Sequence, residues 1–404
     1  MFTSTPVGFC TFTSESFMQP SNHILPCIVL AQFCCTSLWF ASNAISPDLI
    51  DAYHLTETSL GYLTAAVQIG FIIGTLGFAF AMIADRFSPI RVFFVGALAG
   101  SLINLALLWE SNSLASLLTI RFLVGCSLAA IYPVGMKIAA DHFNKRLGNS
   151  LGFLVGALVL GTAFPHSIKA FSADVPWKTV VYVTSGLAVV GGLILVLFVP
   201  NGPYRKPAAK LRLNAFLAVF KNRRFRAAAF GYFGHMWELY AFWTFVPLCI
   251  LGYNTLHPTT SLSVPFWSFC IIGIGAIGCV LAGLLVPRYN EKRLATFALS
   301  ISGLFCLASP LLFEMPVYVF LILLLVWGMV VIADSPMFST LVAQRAPSEV
   351  TGTALTIVNC IGFAITIVSI QLLASLSEAL PIPYLFVVLA FGPLFGLISL
   401  RRLN

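Results

Sequence analysis

Charged residues are scarce in this sequence. Of its 404 residues, 9% are charged and only 14 are Asp or Glu, whereas 59% are hydrophobic. The mean hydropathy is +0.96. A soluble domain contains about 25% charged residues, so this chain cannot cover a water-facing surface of its own. The composition excludes a soluble globular protein and predicts many membrane-spanning helices.

Motifs for catalysis, nucleotide binding and metal binding are also missing. The chain has no phosphate-binding Gly-rich loop, no His-Glu-x-x-His sequence and no Cys-x-x-Cys among its ten cysteines. Nearly all the cysteines fall within apolar segments, which is typical of small buried hydrophobic residues. We therefore expect neither enzyme activity nor a cofactor or metal. Any transport would draw on an ion gradient, and the net charge of +8 reflects loop positions without implying a nucleic-acid partner.

The first 23 residues are polar and rich in Ser, Thr and Pro, with no Lys or Arg. A signal peptide begins with a basic region, which this segment lacks. We interpret residues 1–23 as a disordered cytoplasmic tail.

Apolar segments of membrane-spanning length fill the rest of the chain. A helix needs about 20 apolar residues to cross the hydrocarbon core, and twelve segments meet this requirement. They are 24–46, 58–82, 89–109, 113–138, 148–170, 177–199, 227–251, 262–286, 294–313, 315–338, 350–376 and 381–400. The predicted organisation is a six-helix half at 24–199, a linker at 200–226 and a second half at 227–404.

The linker is strongly basic and sets the predicted orientation. It contains no carboxylate and eight basic residues: Arg205, Lys206, Lys210, Arg212, Lys221, Arg223, Arg224 and Arg226. With these, 19 of the 22 basic residues fall on one side of the predicted topology, while Lys169 and Lys178 fall on the other. Basic loops remain in the cytoplasm. The sequence therefore predicts a multi-pass plasma (inner) membrane protein with both termini and the linker in the cytoplasm.

The two halves repeat one another. Residues in the fourth and fifth predicted spans match residues in the tenth and eleventh at nearly constant offset, and the loop after the second span matches that after the eighth. The matched pairs are Gly125 and Gly328, Pro133 and Pro336, Gly148 and Gly352, Leu151 and Leu355, and Arg86 and Arg288. Two halves in the same orientation form a parallel repeat, which places a substrate site near the membrane midplane between them.

The loop after the second span carries a recognisable motif. Its sequence from Ala81 to Val92, AMIADRFSPIRV, resembles the G-x-L-A-D-R-x-G-R-K-x-V motif of the major facilitator superfamily, with Ala81 and Ser88 where glycines are usual. A second copy begins at Gly283 and lacks the acid. Arg121-Phe-Leu-Val-Gly125 is similar to the R-x-x-x-G motif of that family. The resemblance implies an all-α fold of twelve membrane helices in two halves, and secondary transport by alternating access.

The resemblance also implies gating residues on the cytoplasmic side. In the family, the motif acid and its basic partners hold the cytoplasmic ends together, and here these are Asp85, Arg86, Arg91 and Arg288. A carboxylate is stabilised by the positive end of a helix and by neighbouring Arg. An ordinary loop salt bridge is the alternative.

Arg121 lies inside the fourth predicted span, where a charged residue costs about 2.5–3.5 kcal/mol on insertion scales. Two explanations are open. Arg121 could pair with a neighbouring helix and hold its half together. Alternatively, it could contact an anionic substrate or control a proton-carrying carboxylate.

Only two carboxylates lie well inside predicted spans, Glu238 in the seventh and Asp334 in the tenth. His235 is one turn from Glu238 and would share its helical face. A buried carboxyl group beside an imidazole can take up and release a proton, so we predict proton coupling through these three residues. Pro336 should kink the tenth span near Asp334, as Pro133 should kink the fourth, because proline removes a backbone hydrogen bond. A cross-helix hydrogen bond to Glu238, or capping by Asp334 of backbone groups freed at Pro336, would be purely structural alternatives.

Polar and aromatic side chains in the spans are candidates for the substrate cavity. In the family, the first, fourth, seventh and tenth helices line the cavity. We predict Asn43, Arg121, Tyr240, Trp243 and Asn359 there, with Asn43 and Asn359 as a binding pair; plain packing is the alternative for the two aromatic residues. The fifth span lacks the Gly-Pro pair of the motif linked to drug–proton antiporters, and its glycines are explained by packing against the eighth.

The sequence thus predicts a secondary transporter of a small organic solute, coupled to protons and working as a single chain in the bilayer. The alternative is a membrane sensor or assembly scaffold that kept the fold and lost transport. The incomplete second loop motif favours the alternative, whereas the Asp85-Arg86 pair and Glu238 favour transport.

Asp85→Asn should slow the transport cycle while leaving solute affinity nearly unchanged, because the acid acts on gating and not on the solute. Flux into proteoliposomes and binding to the purified protein separate these two effects. Normal flux in the variant would contradict a gating role.

Overall fold

The structure is a computed structural model that describes residues 23–56, 58–143, 147–171, 176–205, 219–347 and 350–403. The secondary structure of these ranges is helical. Most of the predicted tail, linker residues 206–218, and Lys145 and Arg146 lie outside the described residues.

Eleven helical segments of the described chain are long and apolar enough to cross a membrane. They are Ser59–Ala81, Pro89–Leu108, Leu114–His142, Ser150–Ala170, Lys178–Phe198, Arg223–Leu256, Val264–Tyr289, Glu291–Leu312, Val317–Arg345, Thr351–Leu376 and Ile382–Leu400. A shorter apolar helix, Ile24–Thr36, precedes them. Counted from that helix, they form the first to twelfth spans of an all-α polytopic membrane protein, as predicted.

The first span is not the continuous helix predicted over 24–46. Its helix ends at Thr36, and the short helices Ala41–Ala44 and Ser46–Tyr53 follow. Before the break, the hydroxyl groups of Thr36 and Ser37 donate to backbone carbonyl groups at distances of 2.8 and 2.7 Å. Such bonds compete with regular helix geometry. The segment from Ser37 to Phe40 is therefore a turn within the first span.

The fourth and tenth spans break at matching positions. The fourth consists of Leu114–Ala129 and Tyr132–His142, and the tenth of Val317–Ala333 and Ser335–Arg345. Each break comes just before a proline, Pro133 or Pro336, since proline lacks the N–H needed to continue the helical hydrogen bonds. The predicted kinks are confirmed.

Close helix contacts at two glycines also follow the repeat. A Cβ atom on Gly125 would lie 2.1 Å from the carbonyl oxygen of Val67 in the second span. A Cβ atom on Gly328 would lie 2.0 Å from the carbonyl oxygen of Ile271 in the eighth span. Only glycine allows backbones to approach this closely. The fourth span therefore packs on the second as the tenth packs on the eighth.

The second and eleventh spans, one from each half, touch at the end of the protein away from the basic linker, here called the outer end. There a Cβ atom on Gly61 would lie 2.9 Å from the Cβ of Ala374, so the second and eleventh spans touch. At the other, basic end, a Cβ atom on Gly352 would have no neighbour within 4 Å among the described residues. The second and eleventh spans are therefore in contact at the outer end.

Both lysines at the outer end contact acids. The amino group of Lys169 lies 2.6 Å from the carboxylate of Asp48, and that of Lys178 lies 3.5 Å from Glu110. These contacts connect the end of the fifth span to the first, and the start of the sixth to the loop after the third.

Gly125→Ala should lower the stability of the purified protein, because the added methyl group meets backbone that cannot move aside. Overpacking typically costs about 1–3 kcal/mol. Gly186→Ala is the matched control, since a Cβ there has no neighbour within 4 Å. Thermal denaturation in detergent should show a lower Tm for Gly125→Ala only. Equal Tm values for the two variants would contradict the close approach.

Candidate functional site

A buried histidine and a buried acid connect the seventh and tenth spans. Nδ1 of His235 lies 2.8 Å from Oδ1 of Asp334, and each side chain is 1% exposed. Asp334 stands at the break in the tenth span, directly after the helix Val317–Ala333. The ion-pair partner of His235 is thus Asp334 of another span and not Glu238, its neighbour one turn along the helix, because the break brings Asp334 against the histidine.

Glu238 faces the ninth and tenth spans and is 1% exposed. Its Oε1 atom accepts hydrogen bonds from Ser302 Oγ, from Trp327 Nε1 at 2.8 Å and from Cys306 Sγ at 3.3 Å. These three donors are neutral and lie in otherwise apolar helices, so the sequence offered only the one-turn spacing of Ser302 and Cys306 as a signal. Glu238 is thus satisfied by cross-helix hydrogen bonds within the second half.

Arg121 fills the break in the first span. Its Nη1 donates to the carbonyl oxygen of Leu38 at 3.1 Å, and its Nη2 donates to that of Trp39. The side chain is completely buried, and its Nε has no partner among the described residues. A guanidinium group has only donors and suits two adjacent carbonyl groups. Of the two explanations left open for Arg121, this geometry fits the pairing between helices.

Five aromatic residues, here called the aromatic cluster, join the two halves at mid-membrane. They are Trp39, Phe71, Tyr240, Trp243 and Phe363, from the first, second, seventh and eleventh spans. The ring of Trp39 lies 4.9 Å from Phe71, 5.8 Å from Tyr240 and 5.6 Å from Phe363 between centroids. Tyr240 lies 5.2 Å from both Phe363 and Trp243. These separations are those of directly packed rings. Tyr240 and Trp243, predicted from sequence, therefore lie in the contact between halves.

Polar groups within and beside the cluster lack partners in the described structure. These are the indole N–H groups of Trp39 and Trp243 and both amide atoms of Gln68, which is completely buried one turn from Phe71. Buried polar groups are nearly always hydrogen-bonded. Their unused bonding capacity therefore marks this place as one where a bound molecule would find partners.

Asn43 and Asn359, predicted as a binding pair, lie in separate halves with partners of their own. Nδ2 of Asn43 donates to Thr64 Oγ1 at 2.9 Å within the first half. The hydroxyl group of Tyr232 donates to Oδ1 of Asn359 at 2.6 Å within the second half. Asn359 is half-buried. The structure thus places the two amides on opposite sides of the contact without joining them.

The predicted gating residues lie at the basic end. Asp85 belongs to the short helix Ile83–Arg86, but its side chain lies outside the described part of the structure. Arg86 and Arg91 are exposed, and the guanidinium of Arg288 lies 5.4 Å from the ring of Tyr289. The gating role of these residues remains a prediction.

Twelve spans in two repeated halves, with matching breaks in the fourth and tenth spans and a buried aromatic cluster between the halves, have the architecture of a membrane carrier. The family model of the Major Facilitator Superfamily matches residues 28–370. The chain belongs to this family.

Curated relatives are named as transporters of different small solutes. The 4-hydroxybenzoate transporter PcaK of Pseudomonas putida is 27% identical over 40% of this chain and 36% of its own length. The niacin transporter NiaP of Acinetobacter baylyi is 26% identical over 70% of each chain. The multidrug transporter MdfA of Edwardsiella ictaluri is 24% identical over 61% of each. The chain thus matches between 36% and 70% of the length of these relatives.

Among solved structures, a bacterial homologue of the human lysosomal transporter Spinster, in an inward-facing and unoccupied conformation, shares the fold. It superposes with a TM-score of 0.66 over 94% of both chains at 14% identity.

Arg121→Met should destabilise the protein, because it leaves the carbonyl groups of Leu38 and Trp39 buried without donors, at about 1–3 kcal/mol each. Arg121→Lys should lose less stability than Arg121→Met, since the lysine amino group can still donate to one of the two carbonyl groups. Arg91→Met, at an exposed position, is the control for loss of charge. The measurement is thermal denaturation in detergent. A normal Tm together with lost solute binding would instead support a direct substrate role.

Proposed function

We propose that this chain is a secondary transporter that moves a small organic solute with an aromatic ring by alternating access, coupled to protons. It would act as a single chain in the plasma (inner) membrane with both termini in the cytoplasm. Family membership supports a transport function, and the names of the relatives support a small solute as the substrate. The aromatic cluster supports a substrate that contains an aromatic ring. The basic linker supports the orientation.

The contact between His235 and Asp334 carries the coupling proposal. A charged pair in a low-dielectric interior is stable only while both partners are present. Protonation of Asp334 removes one charge and with it the attraction to His235. Because Asp334 stands at the break in the tenth span, the same event would release the two parts of this span to change their angle. Glu238 lies in the same region and is the second candidate carrier of a proton.

Alternating access requires that the two ends open in turn. The contact of Gly61 with Ala374 closes the outer end, and the aromatic cluster closes the middle. The half-buried Tyr132 and Asn359 lie on the basic side, where a Cβ atom on Gly352 would have no neighbour within 4 Å among the described residues. In the proposed cycle, this conformation takes or releases solute on the cytoplasmic side. Separation of the rings would then open the path from the outside.

A sensor or scaffold without transport is the alternative. The second loop copy has Pro287 inside its helix where the first copy has Asp85, which favours loss of one gating contact. Binding of a solute without any flux would support this alternative.

The test is solute-driven proton movement in proteoliposomes that contain the pH-sensitive dye pyranine. A panel of 4-hydroxybenzoate, nicotinamide and tetraphenylphosphonium is added outside, with protein-free liposomes correcting for passive permeation. Wild-type protein should change the internal pH with at least one solute. Asp334→Asn and Glu238→Gln should reduce that change at least tenfold while retaining folding.

Glu314→Gln is the matched control, because Glu314 is an exposed acid in the turn after the ninth span. It should behave as wild type. Full proton movement in both buried-acid variants would overturn the coupling proposal. Solute flux without proton movement would show that the protein transports the solute without coupling to protons.

A further inference from the structure

Five exposed basic residues, here called the basic cluster, lie where the seventh span begins and the twelfth span ends. They are Lys221, Arg223, Arg224, Arg401 and Arg402. The short helix Arg401–Leu403 contacts the helix Arg223–Leu256. Further into the membrane, a Cβ atom on Gly231 would lie 3.3 Å from Cδ2 of Leu400, so the two spans pack side by side with their basic ends level. The five charges therefore share one corner of the second half.

The basic cluster has no acidic partner among the described residues. None of its five side chains forms an ion pair with an acid of that part of the chain. Glu291, which starts the ninth span at the same end, accepts a hydrogen bond from Nε2 of Gln344 at 2.9 Å. Like charges held close together repel one another, and an anion bound between them replaces this repulsion by attraction. The cluster is therefore suited to bind a negatively charged group.

The exposed face of the twelfth span leads directly to the two arginines. Its large exposed apolar residues, here called the apolar strip, are Phe391, Leu394, Phe395 and Ile398. They recur every three or four positions and therefore lie on one side of the helix. The next step of the same spacing reaches Arg401 and Arg402. One continuous surface thus carries apolar side chains along the membrane and positive charge at its basic end.

Aromatic rings of the seventh span widen the apolar strip. The ring of Phe230 lies 5.5 Å from Phe395 between centroids, and the ring of Trp237 lies 5.7 Å from Phe391. Phe230 and Trp237 are half-buried, so each also presents part of its ring at the surface. A hydrocarbon chain that lies along these rings gains many small dispersion contacts. The surface below the basic cluster therefore suits an acyl chain.

From these observations, we propose that the basic cluster and the apolar strip together bind an anionic phospholipid of the bilayer leaflet on the basic side. The phosphate of the headgroup accepts charge-assisted hydrogen bonds from the arginines, and an acyl chain lies along the strip. A zwitterionic lipid gains less, because its headgroup carries a positive charge of its own. A free phosphate gains nothing from the strip. This lipid site goes beyond the proposed transport function and does not depend on which solute is moved.

The test is thermal denaturation of the full chain in detergent with added lipid, because a ligand of the folded state raises its Tm. Phosphatidylglycerol and phosphatidylcholine with identical acyl chains are compared at equal concentration, together with soluble glycerol phosphate. Phosphatidylglycerol should raise the Tm more than phosphatidylcholine does, and glycerol phosphate should leave it unchanged. Equal shifts with the two lipids would overturn the proposal. A rise with glycerol phosphate as large as that with phosphatidylglycerol would overturn it as well, because the site would then bind anions without an acyl chain.

Removal of two charges from the cluster locates the site. Arg401→Gln combined with Arg402→Gln should lose at least half of the Tm difference between the two lipids. Arg86→Gln combined with Arg91→Gln is the matched control, because it removes two exposed charges from the basic end of the first half. This control should keep the full difference.

Equal losses in the two double variants would show that lipid attraction is spread over the whole basic surface, and would overturn a site at this corner. If the variant at the end of the twelfth span cannot be purified, Lys221→Gln combined with Arg223→Gln tests the same cluster from the seventh span. It should lose the lipid difference to a similar extent.

Discussion

The structure between the two halves depends on the insertion of Arg121 into the break of the first span. Helix breaks leave carbonyl groups without donors, and in a membrane no water replaces them. The guanidinium of Arg121 supplies the missing donors to Leu38 and Trp39 across the helix interface. As a result, the backbone of Trp39 is held at mid-membrane, where its ring packs on Phe71, Tyr240 and Phe363. A charge that is costly in lipid thus stabilises the turn that carries the central aromatic residue.

The remaining buried charges are arranged around a second break, that of the tenth span. Pro336 interrupts the helix, Asp334 occupies the position just before it, and His235 meets the acid from the seventh span. The fourth span has the same break without an acid, since Ile131 stands in the equivalent place. The repeat therefore provides two broken helices, and of the two breaks only that of the tenth span is occupied by an acid. This asymmetry makes proton coupling a property of the second half in the proposed mechanism.

Several features were predictable because they follow from local rules. Segment length and composition predicted the spans, and Pro133 and Pro336 predicted the kinks. The matching offsets of Gly125 and Gly328 predicted equivalent packing in the two halves. The partners of the buried polar residues were not predictable, since they come from helices distant in sequence. Helical spacing suggested Glu238 as the neighbour of His235, whereas the structure pairs the histidine with Asp334 of the tenth span. The donors Ser302, Cys306 and Trp327 to Glu238 were missed because neutral residues in apolar helices carry no pattern of their own.

The sequence by itself determined that this chain lies in a membrane, how many times it crosses, and that its halves repeat. Hydrophobic length, loop charge and turn residues act locally, so they can be read along the chain. Only the tertiary structure decided where the first span breaks, what Arg121 binds, and which acid meets His235. Those outcomes depend on which helices pack together and how closely, and that is set by the glycine contacts and the hydrogen bonds each buried group must find across the helix interface.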